Sequence, residues 1–124
     1  MKTKIKSFTD LTAWKKAHSF VLKIYRISKL FPIEELYGLT NQIRRAAVSI
    51  TSNIAEGFYR RTAEDKNHFY YASLTSLAEV QNQLIIARDL KYISNNIFQD
   101  AAKDSIEVQK LINGLIKSSS TKRV

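Results

Sequence analysis

Seven cations are the first residues here whose type and spacing suggest chemistry: Lys15, Lys16, Lys23, Arg44, Arg45, Arg60 and Arg61. Lysine and arginine carried at intervals along helices neutralise phosphates, arginine through a planar fork of donors and lysine as a point charge. The overall charge is skewed the same way. Residues 1–61 hold 12 Lys and Arg against 4 Asp and Glu, whereas residues 62–124 hold 8 against 7, within a net charge of +9. A basic half beside a near-neutral half points to attraction for a polyanion, most often nucleic acid. The competing reading is solubility alone.

Catalytic constellations are hard to assemble from the remaining residues. His18 and His68 fall on different predicted helices, and neither has a metal-ligating partner four residues on. Gly38, Gly57 and Gly114 are isolated, which leaves no glycine-rich phosphate loop, and there is no cysteine to serve as thiolate nucleophile, disulfide or metal ligand. Ser49, Ser52, Ser73 and Ser76 have no paired base in sequence. The expectation is a non-enzymatic protein without a metal or other cofactor. Cysteine-free composition suits a reducing cytoplasm, and no apolar run reaches the ~20 residues of a membrane span.

The elements that must position the cations follow from periodicity. With 124 residues, 44% of them apolar, only 3 Gly and 1 Pro, the chain reads as one all-α domain. A first helix is predicted from Leu11 to Leu30, with Leu11, Trp14, Ala17, Val21 and Ile24 at helical spacing, Phe20 and Ile27 widening the stripe, and Thr9 or Asp10 as cap. Pro32 stops it. The second helix, Leu39 to Arg61, carries Leu39, Ile43, Ala47, Ile50, Ile54 and Phe58 on one face. The third runs from about Ala63 to Leu90 behind a Thr62–Asp65 capping signal, with Tyr70, Ser73, Leu77, Val80 and Leu84 inward. The fourth spans about Asn96 to Lys117. Short connections make an antiparallel up-down-up-down four-helix bundle the economical arrangement. Residues 1–8 read as an N-terminal arm, 9–117 as the bundle and 118–124 as a disordered basic tail.

The second helix is the hub of this reading. Gln42, Ser49, Asn53, Glu56 and Arg60 flank its apolar face, close to the small residues Ala46 and Gly57. Such a mixture suits a helix packed on more than one side. Gln42, Ser49, Asn53, Glu56 and Glu79 are therefore structural or interface candidates. Arg44 and Arg45 lie about 100° apart around the helix and cannot share one task. The expectation is that a carboxylate, Glu79 or Glu56, ties one while the other faces a partner. A second apolar line, Val48, Ala55 and Tyr59, suggests a subunit contact. The six tyrosines could stack on bases, although aromatics at helical spacing more often serve core and interface.

Longer motifs add a resemblance. Phe8-x-x-Leu11-x-x-Trp14-x-x-Ala17 is followed by Phe31-Pro32 and by Glu35-x-Tyr37-Gly38-Leu39-Thr40-x-Gln42-Ile43-Arg44-Arg45-Ala46-Ala47-x-Ser49-Ile50. Then come Ser52-Asn53-Ile54-Ala55-Glu56-Gly57, Phe69, Ser76-Leu77-x-Glu79 and Leu90-x-Tyr92. Together these resemble the four-helix-bundle family whose founding members are encoded by intervening sequences in bacterial 23S ribosomal RNA genes. Thr51 stands where that pattern is variable and often Pro. The family also includes the accessory protein of diversity-generating retroelements, a homopentamer that binds nucleic acid and its reverse transcriptase. The resemblance implies a bundle protomer and a homopentamer but leaves the molecular task open; joined to the basic residues, the expectation is RNA or a ribonucleoprotein such as the ribosome as partner. The alternative it carries is a scaffold that docks a protein such as a reverse transcriptase.

Overall fold

Proline at position 32 lacks a backbone donor and disfavours helical geometry at Phe31, so the first apolar run must end before it. The structure, a computed structural model, describes residues 4–121 and places four long helices there: α1 (Thr12–Ser28), α2 (Leu39–Phe58), α3 (Ala63–Asp89) and α4 (Asn95–Thr121). Single 3₁₀ turns occupy Phe8–Asp10 and Ile33–Glu35, and there is no strand among the described residues. The protein is all-α, as expected.

Several boundaries differ from the periodic reading. Asp10 does not cap α1; its carboxylate turns back and accepts from the backbone N–H groups of Lys6 and Ser7 at 3.0 and 3.1 Å. The arm is thus folded into a capped turn from Ser7 onward, and α1 starts behind Leu11 with no side-chain cap. The cap expected for the third helix is present, the Thr62 hydroxyl accepting from Asp65 N–H at 3.1 Å, and ahead of α4 Ser94 Oγ accepts from Ile97 N–H at 3.2 Å. Helix α2 stops at Phe58, where Lys66 Nζ donates to the Phe58 carbonyl at 2.5 Å and satisfies a C-terminal acceptor of the helix. Residues 118–121, assigned to a tail, continue α4, and the Ser120 hydroxyl accepts from Asn67 Nδ2 at 3.0 Å. The rest of that tail, 122–124, and residues 1–3 of the arm lie outside the described residues.

One shared core holds the helices together. Ala17, Phe20 and Ile24 of α1 meet Ile43, Ala47, Ile50 and Ile54 of α2, Leu77, Val80 and Leu84 of α3, and Ala101, Val108 and Ile112 of α4. Each of these is at most 1% exposed. Helix α2 packs on α1 and α3, and α4 on α3 and α1, with no close backbone approach across either diagonal among the described residues.

Helices α2 and α3 approach closely at Gly57. A Cβ added at Gly57 would stand 2.7 Å from Tyr70 Cε1 and 3.1 Å from the Lys66 carbonyl oxygen, so the absent side chain is what admits the Tyr70 ring. Glycine costs about 1 kcal/mol in helix propensity, and close packing explains its presence near the end of α2. Further along, the fully buried Ser73 hydroxyl donates to the Ile50 carbonyl at 2.7 Å. That bond leaves the Ser73 oxygen satisfied inside the core, where an unpaired one would cost about 1–3 kcal/mol.

Candidate nucleic-acid interface

The seven cations do not form one patch. On α1, Lys16 pairs with Glu107 of α4 at 3.2 Å, and Lys23 bridges Asp100 at 2.7 Å and Asp104. The two Asp hydrogen bonds hold the Lys23 ammonium above the ordinary lysine range, and the Lys23 donor holds the Asp100 carboxyl below the usual carboxylate range. These acids of the near-neutral half therefore offset Lys16 and Lys23. Lys15 remains exposed, with no ion pair among the described residues.

On α2 the two adjacent arginines are separated as expected, but by a different partner. Arg44 Nε donates to the buried Ser28 hydroxyl at 2.7 Å, Nη2 reaches the Tyr25 carbonyl at 3.5 Å, and the guanidinium lies 5.0 Å from the Tyr25 ring centroid. The tie is thus a hydroxyl, a carbonyl and an aromatic face on α1. Neither Glu79 nor Glu56 holds it, which corrects the expectation of a carboxylate. Nothing in the periodic pattern marks Ser28 beyond its inward position, about one turn before the Pro32 break. Arg45 is exposed with no acidic partner among the described residues. Arg60 meets Glu56 at 3.8 Å and covers the Phe69 ring at 4.4 Å, a half-exposed pair worth about 0.2–0.5 kcal/mol. Arg61 is exposed at the rim of a separate hollow of about 930 Å³ beside Leu11, Phe58 and Tyr70.

The polar flank of α2 forms a seam with α3. Ser49 Oγ and Ser76 Oγ are 2.8 Å apart, while Asn53 Nδ2 donates to the Ser49 carbonyl at 2.8 Å and to Ser49 Oγ at 3.0 Å. Asn53 therefore reaches α3 through Ser49 and not directly. Shallow grooves flank this seam. One of about 300 Å³ is lined by Gln42, Arg45, Ser49, Ser76, Glu79 and Gln83. The other, about 670 Å³, lies beside Tyr25, Arg44, Arg45, Asn53 and Glu56. Arg45 borders both grooves. The sequence reading missed Gln83, yet Ser73, Ser76, Val80, Gln83 and Ala87 step by three and four residues, and all are buried. A glutamine in such a row was the available signal.

At the opposite end of α2, the Glu35-x-Tyr37-Gly38-Leu39 and Leu90-x-Tyr92 motifs come together. The Glu35 carboxylate accepts from Leu39 N–H at 3.1 Å, filling a free donor at the start of α2, and from the Tyr92 hydroxyl at 2.8 Å. Gly38 leaves room for it, since a Cβ there would stand 2.7 Å from Glu35 Oε1. Those bonds, the Leu39 N–H first, hold the Glu35 carboxyl below its usual value of 4.5, and the Tyr92 hydroxyl is raised by the same contact. A depressed folded-state pKa contributes stability above the unfolded value, and the contribution disappears as pH falls through the folded value. Glu35→Gln is therefore expected to unfold at lower urea than the parent at pH 7, with the difference shrinking as pH drops below the ordinary glutamate range. A difference that stays constant through that window would show that the carboxylate charge is immaterial.

Four helices around one core, with this polar seam along the second, define the class: a small all-α helical protein. The sequence matches the family described as 23S rRNA-intervening sequence protein over residues 9–114. The chain belongs to that family. Among solved structures it is similar to a protein of unknown function from the S23 ribosomal protein family of Bacteroides thetaiotaomicron VPI-5482. The TM-score is 0.77 at 24% identity, covering 86% of this chain and 99% of that one, which establishes a common fold. No curated protein matches. No helix of the described residues is long and apolar enough to cross a membrane.

Proposed function

We propose that this protein is a non-enzymatic, homo-oligomeric helical bundle that binds RNA or a ribonucleoprotein through the cations left without acids. The observation that carries this reading is the contrast along the charged surface. Lys16 and Lys23 are consumed by α4, whereas Lys15, Arg45 and Arg61 are exposed and make no salt bridge among the described residues, Lys15 feeling only the more distant charge of Asp10. Membership in a family named for 23S rRNA intervening sequences and a structural relative from a ribosomal protein family support the same partner class.

The protomer in this reading is an antiparallel up-down-up-down bundle. Supporting it, Lys16 meets Glu107 while Lys23 meets Asp100, Ser49 meets Ser76 while Lys66 meets Phe58, and Gln81 meets Ser105 while Asn67 meets Ser120. Each pair of contacts runs in opposite chain directions. Assembly as a homopentamer in the cytoplasm completes the proposal. The exposed Val48 and Tyr59 of the second apolar line, 41% and 61% accessible, are the side chains offered to sister copies.

RNA binding of this kind is expected to weaken linearly in log–log terms with salt, by about 0.7 for each phosphate neutralised on a single strand. Arg45→Gln and Arg61→Gln should each reduce that slope by a comparable step, and Lys16→Gln by less. A filter-binding titration with no salt dependence, or no binding at low salt, would overturn the RNA reading. Docking of a protein such as a reverse transcriptase is the second reading, and the specific observation favouring it is an apolar groove. Ile85, Phe98 and Ile106 line that groove between α3 and α4, with both isoleucines exposed.

A further inference from the structure

Gln83 is an anomaly of the α2–α3 seam. Its side chain is 8% exposed, yet its Oε1 is buried with no hydrogen-bond partner among the described residues. Leaving such an acceptor unpaired costs about 1–3 kcal/mol, and apolar residues of the same length avoid that cost. The glutamine lines the groove of about 300 Å³ that also holds Glu79 and Arg45, both exposed and neither ion-paired among the described residues. Close by, the Ser49 and Ser76 hydroxyls share one hydrogen bond between two protons, which leaves one proton to donate elsewhere. The groove thus has an acceptor surplus on the α3 side, the exposed Glu79 carboxylate with Gln83 Oε1 beneath the surface, and donors on the α2 side.

We propose that this groove is a base-edge site for an unstacked guanine of single-stranded RNA. The proposal rests on the RNA-binding reading above and names the group recognised. Guanine alone among the four bases presents two adjacent donors on its Watson–Crick edge, N1–H and the N2 amine, beside the O6 acceptor. A carboxylate and an amide oxygen answer the donors, and Arg45 answers O6 or the adjoining phosphate. Uracil offers a single donor flanked by two acceptors, and cytosine one amine beside two acceptors, so either would face Glu79 with lone pair against lone pair. No aromatic side chain lines the groove, so recognition there comes from edge hydrogen bonds and not from stacking.

Fluorescence anisotropy with a short labelled oligouridine, with and without one central guanosine, tests this at constant low salt. The guanosine oligomer is expected to bind roughly tenfold tighter, as one bidentate base contact allows. Replacing guanosine with inosine, which lacks the N2 amine, should remove most of that preference. Glu79→Gln should bind both oligomers at least as well as the parent, because a negative charge is removed, while losing the preference. Gln83→Met should also lose preference, and it should unfold no earlier than the parent because the orphaned oxygen is gone. Equal affinity of the parent for both oligomers would overturn the base site and leave RNA binding standing. A preference surviving both substitutions would overturn the site as well, and failure to bind either oligomer would overturn both readings.

Discussion

Phe20→Ala is expected to remove about 3–5 kcal/mol of folding stability, read as a lower midpoint in urea at unchanged slope. Phe20 is 1% exposed and is the largest of the fully buried side chains. It stands on α1, which leans on both α2 and α4, so truncation opens a void where two seams converge. Fully packed surroundings relax only partly around such a void, and the lost contacts add to the lost transfer energy. For a domain whose whole stability is of the order of 5–15 kcal/mol, one substitution then consumes a large share. Leu22→Ala on the same helix is the control. Leu22 is 46% exposed, and its loss should stay within about 0.5 kcal/mol. Unfolding can be followed through Trp14, whose ring stacks on His18 at 4.7 Å and meets Phe8 edge-on at 5.4 Å. Equal effects from the two substitutions would contradict the placement of the core.

Gly57→Val is expected to cost at the upper end of about 1–3 kcal/mol, the usual range for forcing atoms into a filled site. The first added carbon already lies 2.7 Å from a ring atom of Tyr70. That ring is 3% exposed and cannot swing into solvent, and the next obstacle, at 3.1 Å, is the backbone carbonyl of Lys66. Helices α2 and α3 must separate at this end, which also pulls Lys66 Nζ from the Phe58 carbonyl. Gly57→Ala separates the causes. Alanine recovers about 1 kcal/mol of helix propensity while still colliding, so its net loss should be smaller than that of valine. If alanine stabilised the protein, the contact with Tyr70 would be looser than described.

Much of the architecture was legible because helix periodicity and core burial encode each other. Ile43, Ala47, Ile50 and Ile54 recur at three and four residues, and all are fully buried. The same arithmetic could not locate bonds between distant turns. Glu35 and Tyr92 are 57 positions apart, and only the meeting of the α2 start with the α3–α4 turn joins them. Arg44 was rightly separated from Arg45, but its charge suggested an acid, whereas a hydroxyl and a carbonyl of α1 lay within reach. Charge counting likewise saw Lys16 and Lys23 as available, because pairing with α4 depends on which helices become neighbours. Gln83 escaped because one polar residue in an inward row does not reveal whether its amide finds a partner.

The closure of α4 against α1 has a consequence for the nascent chain. Phe20 and Ile24 emerge early, but the wall that covers one side of α1 is made from residues after Asn95. At ordinary elongation rates that interval is on the order of ten seconds. Throughout it an apolar flank is bare to solvent, so chaperone capture and premature association compete with folding until Lys16 and Lys23 find the acids of the fourth helix.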